Sequence, residues 1–76
     1  MNLQQVIGAT IRAERKNQGI RCKELADRVP ISRSYYSEIE HGHKAVSFPM
    51  LENIANALDL ETAELWFAIY QRMGAK

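Results

Sequence analysis

Side chains able to do covalent or metal chemistry are few in this chain and scattered: one thiol, Cys22, two imidazoles, His41 and His43, and nine carboxylates. A nucleophile needs a base within hydrogen-bond reach and a third group to orient that base, and nothing around Cys22 supplies either. His41 and His43 flank Gly42, but a zinc site needs further ligands that no neighbouring residue provides. No glycine-rich phosphate loop occurs. The residues therefore predict no catalytic site, no metal and no cofactor, and leave recognition as the function to look for.

Arginine is the side chain with the clearest recognition chemistry, because its planar fork matches the acceptor pairs of phosphates and of guanine. The formal net charge is only +1, so the distribution of charge matters more than the total. From the N-terminus to Glu38 there are Arg12, Arg15, Lys16, Arg21, Lys23, Arg28 and Arg33 against Glu14, Glu24, Asp27 and Glu38, a surplus of three cations. The remainder holds three basic and five acidic residues. The positive side of the molecule is its first half.

At 76 residues the chain has material for one hydrophobic core, and 46% hydrophobic with 25% charged residues is the composition of a folded domain. One domain over residues 1–76 is the expectation. A lone cysteine forms no internal disulfide and suits a reducing cytoplasm. No stretch approaches the roughly 18 apolar residues needed to span a bilayer, and the N-terminus does not read as a secretory leader. A cytoplasmic protein, bacterial or phage-encoded, with no membrane partner is expected.

The elements that must hold these side chains are helical. Leu3, Val6, Ile7 and Ile11 recur at three- and four-residue intervals up to Lys16, and Gly19 suits a left-handed C-cap with Ile20 folding back. A second helix runs from about Cys22 to Val29, stopped by Pro30. Ser32 can cap a third, with Tyr36 and Ile39 inward, Arg33, Ser34, Ser37 and Glu38 outward, and Gly42 at its end. Ser47 can cap a fourth, which tolerates Pro49 in its first turn and faces inward with Leu51, Ile54, Ala55 and Leu58. A last helix spans about Thr62 to Met73. Two short helices joined by a turn at about residues 22–41 have the spacing of a helix-turn-helix.

The stretches IRAERKNQGI, KELADRVPISRSYYSEIEHG and MLENIANALDLETAELW together resemble the phage-repressor-like (Cro/CI, Xre-type) helix-turn-helix regulators, over about Ile7 to Trp66. The resemblance implies an all-α, five-helix lambda-repressor-like DNA-binding domain that lays its third helix in the major groove, commonly as a homodimer. Leu25, Ala26, Ile31, Tyr36 and Ile39 would fix the crossing of the second and third helices, with Ala26 small enough to let them approach. The family pattern also pairs Arg15 with Glu40 as a partly buried structural bridge. Its base-contact positions fall on Arg33, Ser34 and Glu38. Arg33 is the leading reader, through guanine O6 and N7. Glu38 either accepts from cytosine N4 or adenine N6, or braces Arg33.

Phosphate contacts are expected from the start of the second helix and the loop after the third, at Arg21, Cys22, Lys23, His41, His43 and Lys44. Ser32, Tyr35 and Ser37 join them, although Tyr35 can instead cover the core as an amphipathic ring. The family commonly carries a small hydroxyl and a glutamine where this chain has Arg21 and Cys22, so the usual cap and side-chain contact are replaced. Cys22 is expected to be a small packing residue and no redox switch.

The last helix carries Leu65, Trp66, Ile69, Tyr70 and Met73, more apolar surface than so small a core needs, and part of that stripe is expected to meet a second subunit. The function this predicts is a sequence-specific transcriptional regulator of double-stranded DNA, acting as a homodimer. The alternative is an antitoxin or other interaction module, in which that helix grips a toxin or co-regulator and DNA binding is secondary.

Overall fold

The computed structural model describes residues 2–74. Five helices follow one another: α1 (Leu3–Asn17), α2 (Cys22–Ala26), α3 (Arg33–Glu40), α4 (Phe48–Ala57) and α5 (Thr62–Arg72). Short polar side chains start three of them by accepting an amide hydrogen that the helix leaves free: Asn2 from Gln5 N at 2.9 Å, Ser32 from Tyr35 N at 3.0 Å, and Ser47 from Met50 N at 3.2 Å. At α1 the cap is reciprocal, because Gln5 Oε1 accepts from Asn2 N at 3.0 Å. Pro49 sits in the first turn of α4, where no intrahelical bond is lost.

Three helices end in the same way. After α3 the chain enters the left-handed region at Gly42 (φ +76°), Gly42 N donates to Ile39 O at 3.0 Å and His43 N donates to Glu38 O at 2.9 Å. Gly19 ends α1 and Asp59 (φ +60°) ends α4 by equivalent bonds. At Gly42 there is a second demand: a Cβ there would lie 2.9 Å from Gln5 Cα, so the residue must be small as well as left-handed.

The second helix is shorter than its periodicity suggests. Expected to reach Val29, it ends at Ala26, and the chain tightens as Arg28 N and Val29 N donate to Leu25 O and Ala26 O at 2.9 and 3.3 Å. Pro30 excludes the residue before it from helical geometry, so the unwinding begins earlier. Val29 still reaches the core, buried with Leu25 and Ala26.

One apolar cluster draws on all five helices: Val6, Ile7 and Ile11, then Leu25, Ala26 and Val29, then Tyr36 and Ile39, then Leu51, Ile54, Ala55 and Leu58, and last Leu65 and Ile69. Helix α1 packs against α3 and α5, α2 against α3, and α4 against α5. Gly8 lets α1 and α3 approach closely. A Cβ at this position would collide with the carbonyl oxygen of Ile39 and lie 2.6 Å from that of Glu40. Two side chains tie α4 into the bundle by donating to carbonyls at its end: Gln18 Nε2 donates to Leu58 O at 2.7 Å and Arg28 Nη1 to Ala57 O at 3.2 Å. Among the described residues every buried side-chain nitrogen and oxygen has a partner, and no helix is long and apolar enough to cross a membrane.

The stripe expected on α5 divides in two. Leu65 and Ile69 are fully enclosed by the chain's own core, so they cannot form a subunit surface. Trp66, Tyr70 and Met73 remain 46, 57 and 54% exposed, and Phe67, which the periodicity did not single out, is 60% exposed. The helical rotation of about 100° per residue explains the division, since positions 66, 70 and 73 share an arc that positions 65 and 69 turn away from.

Candidate nucleic-acid interface

Helix α3 has a locked side and an open side. Tyr36, Ile39 and Glu40 face inward and are buried, while Arg33, Ser34 and Tyr35 stand in solvent and Ser37 and Glu38 are half-exposed. The locking is polar as well as apolar. Arg15 Nε and Nη2 donate to the two Glu40 carboxylate oxygens at 2.7 and 3.1 Å, Arg15 Nη1 donates to Ile20 O at 2.8 Å, and the Tyr36 hydroxyl donates to Glu40 Oε2. Both charged residues are 8% exposed. Each nitrogen and oxygen of this ion pair thus has a partner, which is the condition for a buried charge to be tolerated. Burial, with the hydrogen bond to Glu40, holds the Tyr36 phenol far above its ordinary pKa, and the bond to Glu40 raises that of Arg15. The pair ties α1 to the end of α3.

On the open side Arg33 is held in a second fork. Its Nε and Nη2 donate to the Asp27 carboxylate oxygens at 2.8 and 2.7 Å, with both side chains more than half exposed. The hydrogen bond from Arg33 lowers the pKa of Asp27. Glu38 therefore does not brace Arg33, one of the two roles open to it. Five residues on, it lies about 140° around the helix from Arg33, and its carboxylate is 3.5 Å from His43 Nδ1.

In the loop after α3, His41 Nδ1 lies 2.7 Å from Ser37 O, and since a carbonyl only accepts, that nitrogen carries the hydrogen. The His41 and His43 rings stack with centroids 5.9 Å apart, and Lys44 follows in solvent. At the start of α2, Lys23 is exposed, Arg21 N donates to Glu24 Oε1 at 2.8 Å, and the exposed Arg21 guanidinium comes within only 3.8 Å of that carboxylate. Cys22 departs from its expected place at the phosphate face. It is partly buried against the core, and that burial raises its thiol pKa. The Ser32 hydroxyl accepts at the α3 cap and keeps its own hydrogen to donate. Tyr35 borders a shallow groove with Ile31, Ala45, Val46, Ser47 and Met50, partway between the two roles open to it. Among the described residues no three His, Cys, Asp or Glu side chains gather as a metal set.

Asp27, Gly8 and Phe67 escaped sequence reasoning. The signals were an acid six residues before an arginine across a turn, a glycine in mid-helix, and an aromatic one step off a stripe.

A short helix, a tight turn and a following helix with a packed inner face and a polar outer face make this an all-α helix-turn-helix domain, the fold of DNA-binding transcriptional regulators. A helix-turn-helix family model matches residues 11–65, and the chain belongs to that family, of the Xre type. It is similar to the transcriptional regulator ClgR of Mycobacterium tuberculosis, 34% identical over 71 residues that make up 93% of this chain and 63% of that protein. It is also similar to the HTH-type transcriptional regulator SlrR of Bacillus subtilis, 38% identical over 64 residues, 83% of this chain and 42% of the relative. The chain thus spans less than two-thirds of either curated relative. The crystal structure of the clp gene regulator ClgR from Corynebacterium glutamicum superposes with a TM-score of 0.90 at 31% identity, covering 97% of this chain and 79% of that one.

Proposed function

We propose that this regulator binds double-stranded DNA sequence-specifically, with α3 in the major groove and two copies of the chain on a two-fold site. The observation that carries the reading is the asymmetry of α3: its inner face is fixed by Tyr36, Ile39 and Glu40, so Arg33, Ser34 and Glu38 are displayed on a rigid support. Arg33 donates to guanine O6 and N7, with Ser34 and Glu38 reading neighbouring bases. Arg21, Lys23, Ser32, Tyr35, Ser37, His41, His43 and Lys44 contact the phosphate backbone on either side and set the register.

The exposed α5 face supports the dimer. Trp66, Tyr70 and Met73, with Phe67 beside them, form an aromatic-rich surface of the kind that subunit contacts use. A two-fold pair would place its α3 helices about 34 Å apart, one turn of DNA. The same face favours a second reading, in which α5 grips a toxin or co-regulator and DNA binding is secondary.

Selection of bound duplexes from a randomised pool tests the first reading. The expected product is a pair of two-fold-related half-sites one turn apart, with one guanine preference lost in Arg33→Ala. Binding that ignores sequence and falls steeply with salt would overturn it. Sedimentation at micromolar concentration should show a dimer that Trp66→Ala converts to monomer. A wild-type monomer that selects no DNA sequence would favour the second reading.

A further inference from the structure

The Asp27–Arg33 fork joins two charges that each sit at the unfavourable end of a helix. Arg33 is the first residue of α3, where free amides and the helix dipole favour an anion, and Asp27 is the C-cap of α2, where free carbonyls and the dipole favour a cation. No acidic residue stands in the first turn of α3 to offset Arg33. With side-chain exposures of 63 and 54%, the pair is of the kind that adds little to stability. Folding therefore gains little from this placement.

The geometry of the fork gives a reason for it. A guanidinium has five N–H donors, and Asp27 takes the side-on edge made by Nε and one hydrogen of Nη2. The end-on edge, made by one hydrogen of Nη1 and the second of Nη2, has no partner among the described residues. Two parallel donors on that edge are what the O6 and N7 acceptors of guanine require.

We propose that Asp27 is a specificity-determining positioning residue: it holds Arg33 across the turn so that the end-on edge of the guanidinium faces the base edge before DNA arrives. The inference rests on the reading of α3 as the base-reading helix. Two consequences follow from the chemistry. Fixing the long Arg33 side chain in advance removes ordering cost from the binding step. Compensating its charge weakens its pull toward phosphate, which any DNA offers, and leaves the directional bonds to guanine, which only some sequences offer. An aspartate is ionised at neutral pH and the Arg33 hydrogen bond lowers its pKa further, so the brace is present there.

The test compares wild type, Asp27→Ala, Asp27→Asn and Arg33→Ala on duplexes selected from a random pool by the wild-type protein, with each base tried at the guanine that depends on Arg33. Asp27→Ala is expected to lower the guanine preference about tenfold, toward that of Arg33→Ala, while affinity for an unselected duplex stays equal or rises because an acid has left the interface. Asp27→Asn keeps the shape of the C-cap, loses the charge, and should also lower the preference. Thermal melting of each variant, unchanged from wild type, separates the effect from a folding loss, since partial unfolding lowers binding to all bases alike. A guanine preference in Asp27→Ala within twofold of wild type, or above it, overturns the brace while leaving Arg33 as reader. A preference unchanged in Arg33→Ala overturns the reading itself, and the brace with it.

Discussion

The described residues contain two arginine–carboxylate forks of nearly the same geometry, one inside and one outside. Arg15 grips Glu40 at 2.7 and 3.1 Å, and Arg33 grips Asp27 at 2.8 and 2.7 Å, each through Nε and Nη2. What differs is the rest of each guanidinium. In the inner fork Nη1 donates to Ile20 O, Tyr36 adds a further bond to the carboxylate, and both charges are buried. In the outer fork the Nη1 edge has no partner among the described residues and both groups stand in water. Contact geometry alone does not assign a role: a buried pair whose nitrogens and oxygens all have partners holds helices together, and a solvated pair with a nitrogen left free keeps donors for a ligand.

Breaking the inner fork should give the largest effect. Glu40→Ala leaves Arg15 buried without its counter-charge and is expected to cost about 3 to 5 kcal/mol, read from the urea midpoint. Retention of the wild-type midpoint would remove the distinction between the two forks. Gly8→Ala tests the approach that brings α1 to α3. With backbone carbonyls in the way and no flexible side chain to yield, a loss of about 3 kcal/mol is expected by the same measurement.

Tyr36→Phe is a milder probe, expected to cost about 1.5 to 3 kcal/mol through the lost bond to a charged acceptor. Its sign with pH sharpens the assignment. The phenol pKa is raised in the folded state above its ordinary value of 10.0, so its contribution is fully present below about pH 10 and is lost as pH rises above that. Wild-type stability should therefore fall with pH more steeply than that of Tyr36→Phe in alkaline denaturation series. The outer fork should give the smallest effect on folding. Asp27→Ala is expected to leave the urea midpoint in place in moderate salt, where exposed charges are screened.

Much of the fold was legible because its signals are local. Ser32, Ser47, Gly19 and Gly42 announce helix ends through the bonds and dihedrals that those positions require, and apolar spacing announces the inner faces. Misreadings arose where one element meets another. The end of α2 was displaced by Pro30, and Leu65 and Ile69 were grouped with Trp66, Tyr70 and Met73 because a helical wheel shows which residues share a side without showing how much of that side the neighbouring helices cover. Cys22 was open to two expectations, a phosphate contact and a small packing residue, and its partial burial against the core fits the second.

The chain's own sequence determined five helices, their caps and the helix-turn-helix spacing, since these depend on residues three or four positions apart. The Arg15–Glu40 bridge, 25 positions apart, was expected only through the family pattern; the tertiary structure decided how fully it is enclosed, and that Asp27 and not Glu38 holds Arg33. Burial and partnership are set by which distant surfaces meet, and on them depends whether a charge holds the fold or remains available to bind.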